Sequence, residues 1–189
     1  MLIRVLAFLL ETIFFVLIAA ALLRAWMNWV RVNMTAQPGS FVMALTDWLV
    51  KPLRRVLPKS LAQSRVDWAS VIAALVLALL YGVLWSLLFG VLAGVTYWSL
   101  QAGPLALLTL LSFALKMLIR VALQTLIILV LGFAILSWIQ PGSPVYALLG
   151  RLTEPVLAPL RRVIPPIGGV DISAIVLIVL LQIALMILV

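Results

Sequence analysis

The sequence predicts an all-α membrane protein of four transmembrane helices, arranged as two parallel repeats that each carry a basic amphipathic, in-plane cytoplasmic segment. Three observations predict it: an extreme apolar composition, four long apolar stretches, and a motif that recurs at a constant offset. Of the 189 residues 67% are hydrophobic and 10% charged, whereas a soluble domain is nearer half apolar and a quarter charged. A soluble core of this size has no volume to hide so much apolar surface, so lipid is the natural solvent.

The apolar stretches run over 2–29, 68–100, 104–138 and 172–189. About 20 helical residues cross a hydrocarbon core. The first and third stretches exceed that length and must tilt, protrude or break, and the fourth is at the lower limit. Arg4, an apolar run and Ala19-Ala20-Ala21 also fit a signal peptide, but the run is too long and carries Glu11, so a retained first span is expected. Gly103-Pro104 breaks the second stretch from the third. Residues 101–116 are compatible both with an extension of the third helix and with an interfacial segment.

Residues 46–58 and 153–165 match at an offset of 107, with seven of thirteen positions identical around Pro-Leu-Arg-Arg-Val-x-Pro. Upstream, Ala25-Trp26 resembles Ser137-Trp138 at the end of an apolar helix; downstream, Asp67 and Asp171 each precede another. The first unit is therefore 1–100 (spans about 2–29 and 68–98, loop 30–67). The second is 101–189 (spans about 116–138 and 172–189, loop 139–171). Two spans per unit return the chain to its starting side, which makes the copies parallel.

The net charge of +8 and pI near 11.2 fit the positive-inside rule. The first loop holds Arg31, Lys51, Arg54, Arg55, Lys59 and Arg65, and the second holds Arg151, Arg161 and Arg162. Both loops are expected in the cytoplasm and both termini on the opposite side. The basic groups would meet anionic lipid headgroups, and no aromatic-interleaved basic run points to nucleic acid. Within the loops, Phe41, Val42, Leu45, Trp48, Leu49, Leu53 and Val56 recur at helical spacing, as do Leu148, Leu149, Leu152, Val156, Leu160 and Val163. Helices of this kind lie in the membrane plane with the apolar face down. Pro52 and Pro159 are each expected to open a second short helical piece.

The chain has neither Cys nor His and only five carboxylates. That removes Ser-His-Asp and Cys-His nucleophiles and the usual ligands of zinc and haem. No catalytic, cofactor or metal residue is assigned, and a non-enzymatic role is expected.

Three groups of residues carry functional readings. Pro52, Arg54, Arg55 and Pro58, with their counterparts Pro159, Arg161, Arg162 and Pro165, read as lipid anchors or as a docking surface for an acidic partner. Asp67 and Asp171 read as helix N-caps, or alternatively as cation or partner contacts. Glu11, Arg24, Lys116 and Arg120 are charges within apolar stretches and functional candidates by default. Arg24 and Lys116 are expected to snorkel to an interface, and Glu11 to pair with Arg120. Trp26, Trp29, Trp98 and Trp138 fit an aromatic belt. Gly82, Gly90 and Gly94 fit a small-residue packing face, within one chain or in a homo-oligomer.

Leu22-Leu23-Arg24-Ala25-Trp26, the Pro-Leu-Arg-Arg-Val-Leu-Pro run at 52–58 and Ile135-Leu136-Ser137-Trp138 resemble the YggT family of small bacterial membrane proteins. So does the whole of 152–173. The resemblance covers nearly the entire chain as two tandem family domains. Copy one departs from the pattern, with Trp48 in place of Pro155 and residues 59–65 in place of the Pro-Ile-Gly-Gly turn. The resemblance implies a multi-pass protein of the bacterial inner membrane. It also implies association with osmotic-shock tolerance, ion uptake and neighbouring cell-division genes, and in photosynthetic relatives with cytochrome-complex assembly. The leading expectation is a scaffold or assembly factor with a membrane or cytoplasmic protein partner. The alternative is a component of potassium uptake, against which the excess of basic groups counts.

Overall fold

The computed structural model describes residues 1–34, 38–57, 66–92, 104–163 and 172–188. All regular structure among them is helical: α1 (Leu2–Trp29), α2 (Gly39–Val56), α3 (Trp68–Leu92), α4 (Pro104–Ile139), α5 (Pro144–Val163) and α6 (Ile172–Leu188). Pro58, Lys59, Arg65, Gly94, Trp98, Pro165 and Asp171 lie outside the described residues, as does the Pro-Ile-Gly-Gly turn.

Three helices, α1, α3 and α4, are long and apolar enough to cross a membrane. They are apolar on every side because their outer faces meet lipid rather than water. The 28 residues of α1 rise about 42 Å and the 36 of α4 about 54 Å, both beyond a hydrocarbon core of about 30 Å. Pro104 starts α4 at the position where a missing N–H costs nothing. The third helix therefore begins twelve residues before the expected 116, and residues 104–116 of the segment left open in the sequence extend it. The second expected span stops being described at Leu92, and α6 is a shorter apolar helix of 17 residues.

Within each half the three helices touch one another pairwise: α1, α2 and α3 in the first, α4, α5 and α6 in the second. The halves meet where α4 packs on α3 and α1. Helices α1 and α4 run in the same direction, since Met27 packs with Leu129 near one end and Glu11 reaches Arg120 toward the other. The main core joins Phe14, Ile18 and Ala21 of α1 to Ala74, Leu77 and Tyr81 of α3 and to Ala114, Met117 and Val121 of α4. Gly82 permits this approach: a Cβ there would lie 2.9 Å from Leu110 Cδ1 and 3.1 Å from Phe113 Cδ1.

The expectation that Pro52 and Pro159 each open a new helical piece is not met. Pro52 lies inside a continuous α2, and Pro155 and Pro159 lie inside a continuous α5. Pro52 and Pro159 are on exposed faces. The carbonyls they leave without a backbone donor thus face outward, and α2 closes at its C-terminus with Leu57 N–H donating to the Leu53 carbonyl.

The helix α1 ends in a left-handed cap. Arg31 has φ 59, its N–H donates to the Asn28 carbonyl, and Val32 N–H donates to the Met27 carbonyl. This is the paired 6→1 and 5→2 closure usually built on glycine.

Candidate functional site

The helix α2 has three faces, about a quarter turn or more apart at 100° per residue. Val42, Thr46 and Val50 are buried against the neighbouring helices. Phe41, Trp48 and Val56 are exposed, at 62%, 59% and 84%. Asp47, Lys51 and Arg54 make the third face, and Arg55, seven residues after Trp48, stands at the edge of the exposed apolar one. The expected single lipid-facing stripe is thus divided, with Val42 and Leu49 packing on protein and Phe41, Trp48 and Val56 left outside. A 3.6-residue period marks an apolar sector but not which of two apolar surroundings it meets.

Where the buried and charged faces of α2 join, Arg24 enters from α1. Only 5% of it is exposed. Its Nη1 donates to Thr46 Oγ1 and to Asp47 Oδ1, each at 2.8 Å, and its Nε lies 3.8 Å from Asp67 Oδ2. The expectation that Arg24 snorkels is therefore corrected: α2 and α3 supply a paired site inside the protein, so the guanidinium needs neither water nor lipid phosphate. Thr46 relays the network, donating its own hydroxyl to the Val42 carbonyl at 2.8 Å. Lys51 Nζ lies 2.8 Å from Asp47 Oδ2 on the outer side. Lys51 foremost, and then Arg24, hold the Asp47 carboxyl below its ordinary pKa despite partial burial.

Asp67 opens α3, and its carbonyl accepts from the N–H groups of Ser70 and Val71. Its carboxylate is held by side chains. Oδ2 accepts from Arg54 Nη2 at 2.6 Å and from Ser70 Oγ at 2.9 Å, beside Arg24. The start of α3 adds its positive dipole end. Arg54, expected to face lipid or a partner, is thus half-exposed but turned to Asp67. Arg24, Asp47, Arg54 and Asp67 tie α1, α2 and α3 together through ionic hydrogen bonds. Among the described residues no buried side-chain nitrogen or oxygen lacks a partner.

Copy two keeps part of this arrangement. Thr153 is buried and donates to the Leu149 carbonyl at 2.8 Å, as Thr46 does to Val42. Arg161 Nη1 donates to Glu154 Oε2 at 2.8 Å, and its guanidinium carbon stands 5.6 Å over the Phe133 ring. When Trp26 and Trp138 are aligned, the residue in place of Arg24 is Leu136. The second copy has no central cation from its first helix. Arg55 and Arg162 remain exposed.

Glu11 and Arg120 come within 3.8 Å of each other, and each is nearly half exposed. Trp26, expected as a belt residue, donates its indole N–H to the Leu152 carbonyl at 2.9 Å and so joins α1 to α5 across the halves. Thr46, Asp47 and Ser70 carry no functional reading in the sequence. The identity of Thr46 and Thr153 in the repeat was the available signal.

No solved structure matches the chain. The family model described as CCB3/YggT matches residues 3–88 and 112–189. A protein of Vibrio alginolyticus described as "Uncharacterized protein in proC 3'region" is 34% identical over 179 residues, 94% of this chain and 90% of that one. "Uncharacterized protein YggT" of Escherichia coli K12 is 32% identical over 179 residues, 94% of this chain and 86% of its own length. "Uncharacterized protein PA0392" of Pseudomonas aeruginosa is 32% identical over 175 residues, 89% of this chain and 80% of that protein. With both halves matched by the family model and relatives aligned over nearly its full length, the chain belongs to the CCB3/YggT family.

Proposed function

We propose that the chain is a non-enzymatic inner-membrane scaffold that assembles or holds other components of the cell envelope and so contributes to osmotic-shock resistance. In this reading α6 is the fourth span, the α2 and α5 segments lie on the cytoplasmic surface, and both termini lie on the other side. The observation that carries it is the three-faced α2. One face is locked to α1 and α3 by the Arg24 network, one presents Phe41, Trp48 and Val56 for lipid, and Lys51 and Arg55 stand outward along the border of that apolar face. A rigid, lipid-seated helix with a basic outer edge is suited to hold a partner in register. Of the Pro-Leu-Arg-Arg pairs, Arg54 and Arg161 are engaged by Asp67 and Glu154, so Arg55 and Arg162, both exposed, are the proposed docking contacts.

The chain contains no Cys, so single cysteines at Arg55 and at Val145 can be labelled from either side of the membrane to fix the orientation. A photo-crosslinker at Arg55 or Arg162 in living cells then tests recruitment. The expected result is one recurrent product, lost together with survival of osmotic downshift in an Arg55→Glu/Arg162→Glu variant. Potassium flux into proteoliposomes above that of empty ones, with no crosslinked product in cells, would overturn the scaffold in favour of transport.

A further inference from the structure

A second polar region lies far from the Arg24 network. A cleft of about 420 Å³ between α1, α4 and α6 is lined by Glu11, Arg120, Gln124 and Gln182. A neighbouring cleft of about 380 Å³ shares Glu11 and Arg120 and adds Lys116. Glu11 is 13 residues from Arg24 along α1, about 20 Å of helix rise. The clefts therefore belong to the half of the bilayer opposite the α2 segment. Lys116 and Arg120 are one turn apart on α4 and lean toward its N-terminus, the same end of the molecule as the N-terminus of α1.

The charges here do not balance. Two cations face one carboxylate, and the Glu11–Arg120 contact of 3.8 Å is longer than a charge-assisted hydrogen bond. An uncompensated cation in a membrane span is costly. The two amide side chains, Gln124 and Gln182, add neutral donors that suit oxygen acceptors. A cation would be repelled from this cluster, and an anion with several oxygens would complete it. The cleft opens beside Ile128, which is 57% exposed on an apolar outer face, so a lipid tail can lie against that face while its headgroup enters.

We propose that the two clefts, which meet at Glu11 and Arg120, together form a binding site for the phosphate headgroup of an anionic phospholipid in the leaflet opposite the α2 segment. Lys116 and Arg120 contact the phosphate, Gln124 and Gln182 donate to its ester or glycerol oxygens, and Glu11 is an internal competitor that holds Arg120 when no lipid is bound. The site rests on the chain spanning the membrane and not on the scaffold reading.

The test uses the full-length protein in a neutral detergent, followed by thermal unfolding and by native mass spectrometry. It is titrated with phosphatidylglycerol, with phosphatidylcholine and with inorganic phosphate. Phosphatidylglycerol should stabilise and remain bound at lower concentration than phosphatidylcholine, and inorganic phosphate should do neither. Lys116→Gln and Arg120→Gln should each weaken phosphatidylglycerol binding about fivefold, the loss of one cation–headgroup attraction. Glu11→Gln should strengthen it, whereas a purely structural ion pair would make Glu11→Gln and Arg120→Gln act alike. If Arg120→Gln fails to fold, the opposite signs of Lys116→Gln and Glu11→Gln still decide. The proposal is overturned by equal binding of the two lipids, by equal stabilisation with inorganic phosphate, or by weakening at Arg55→Gln in place of Lys116→Gln.

Discussion

Replacing Arg24 with Leu, the residue that copy two carries at Leu136, removes the α1 side chain that joins the α2 network among the described residues. Two charge-assisted hydrogen bonds of 2.8 Å disappear, each worth about 1.5–3 kcal/mol where one partner is charged, together with the 3.8 Å contact to Asp67. Four contacts survive and limit the loss. Thr46 still donates to Val42, Asp47 keeps Lys51, and Asp67 keeps Arg54 and Ser70. No group is left buried and wholly unpaired. Leu also recovers some burial at the same site, so the net cost falls below the sum of the bonds, at about 2–4 kcal/mol. Unfolding in mixed micelles by graded SDS, read through the seven Trp residues, measures it. A double-mutant cycle with Asp47→Asn should show coupling above about 1 kcal/mol, since the two groups share one network. A loss under about 0.5 kcal/mol, with no coupling, would refute the claim that Arg24 fastens α2 to the bundle.

Four further outcomes follow from the geometry. The depressed pKa of Asp47 adds stability that is fully present above the unfolded-state value near 3.8 and fades as pH falls through the lower folded value. Acid unfolding should therefore steepen below about pH 4, and Asp47→Asn should flatten it. Gly82→Val places atoms where Leu110 and Phe113 already pack and should cost about 1–3 kcal/mol in the same micelle assay. Arg31→Gly relieves a left-handed residue at the end of α1 and should stabilise by about 0.5–1 kcal/mol, visible as a raised unfolding midpoint. Trp26→Phe removes the bond to the Leu152 carbonyl and should cost about 0.5–1.5 kcal/mol. Its effect should also loosen crosslinking between cysteines placed at Trp29 and Arg151.

The sequence by itself determined the solvent and the local structure, because both depend on composition and short-range period. The apolar stretch at 2–29 forms α1, the stretch expected over 68–100 is helical over its described part, 68–92, and the apolar period within the two loops gives helices α2 and α5. The charge counts also narrowed the pairing, since Glu11 is the one acid within an apolar stretch and the structure sets it beside Arg120. Tertiary structure alone decided what each charge faces. Arg24 looks from the sequence like any cation near a helix end, and its burial depends on Thr46 and Asp47, 22 and 23 residues away, and on Asp67, all brought to it by two other helices. Arg54 and Arg55 are adjacent and chemically identical, yet a 100° step along α2 turns one toward Asp67 and leaves the other exposed. The uninterrupted α4 and the prolines inside α2 and α5 were likewise decided by surroundings. A helix keeps going through a weak local signal when its exposed face can tolerate the unpaired carbonyl and its other face has a core to bury.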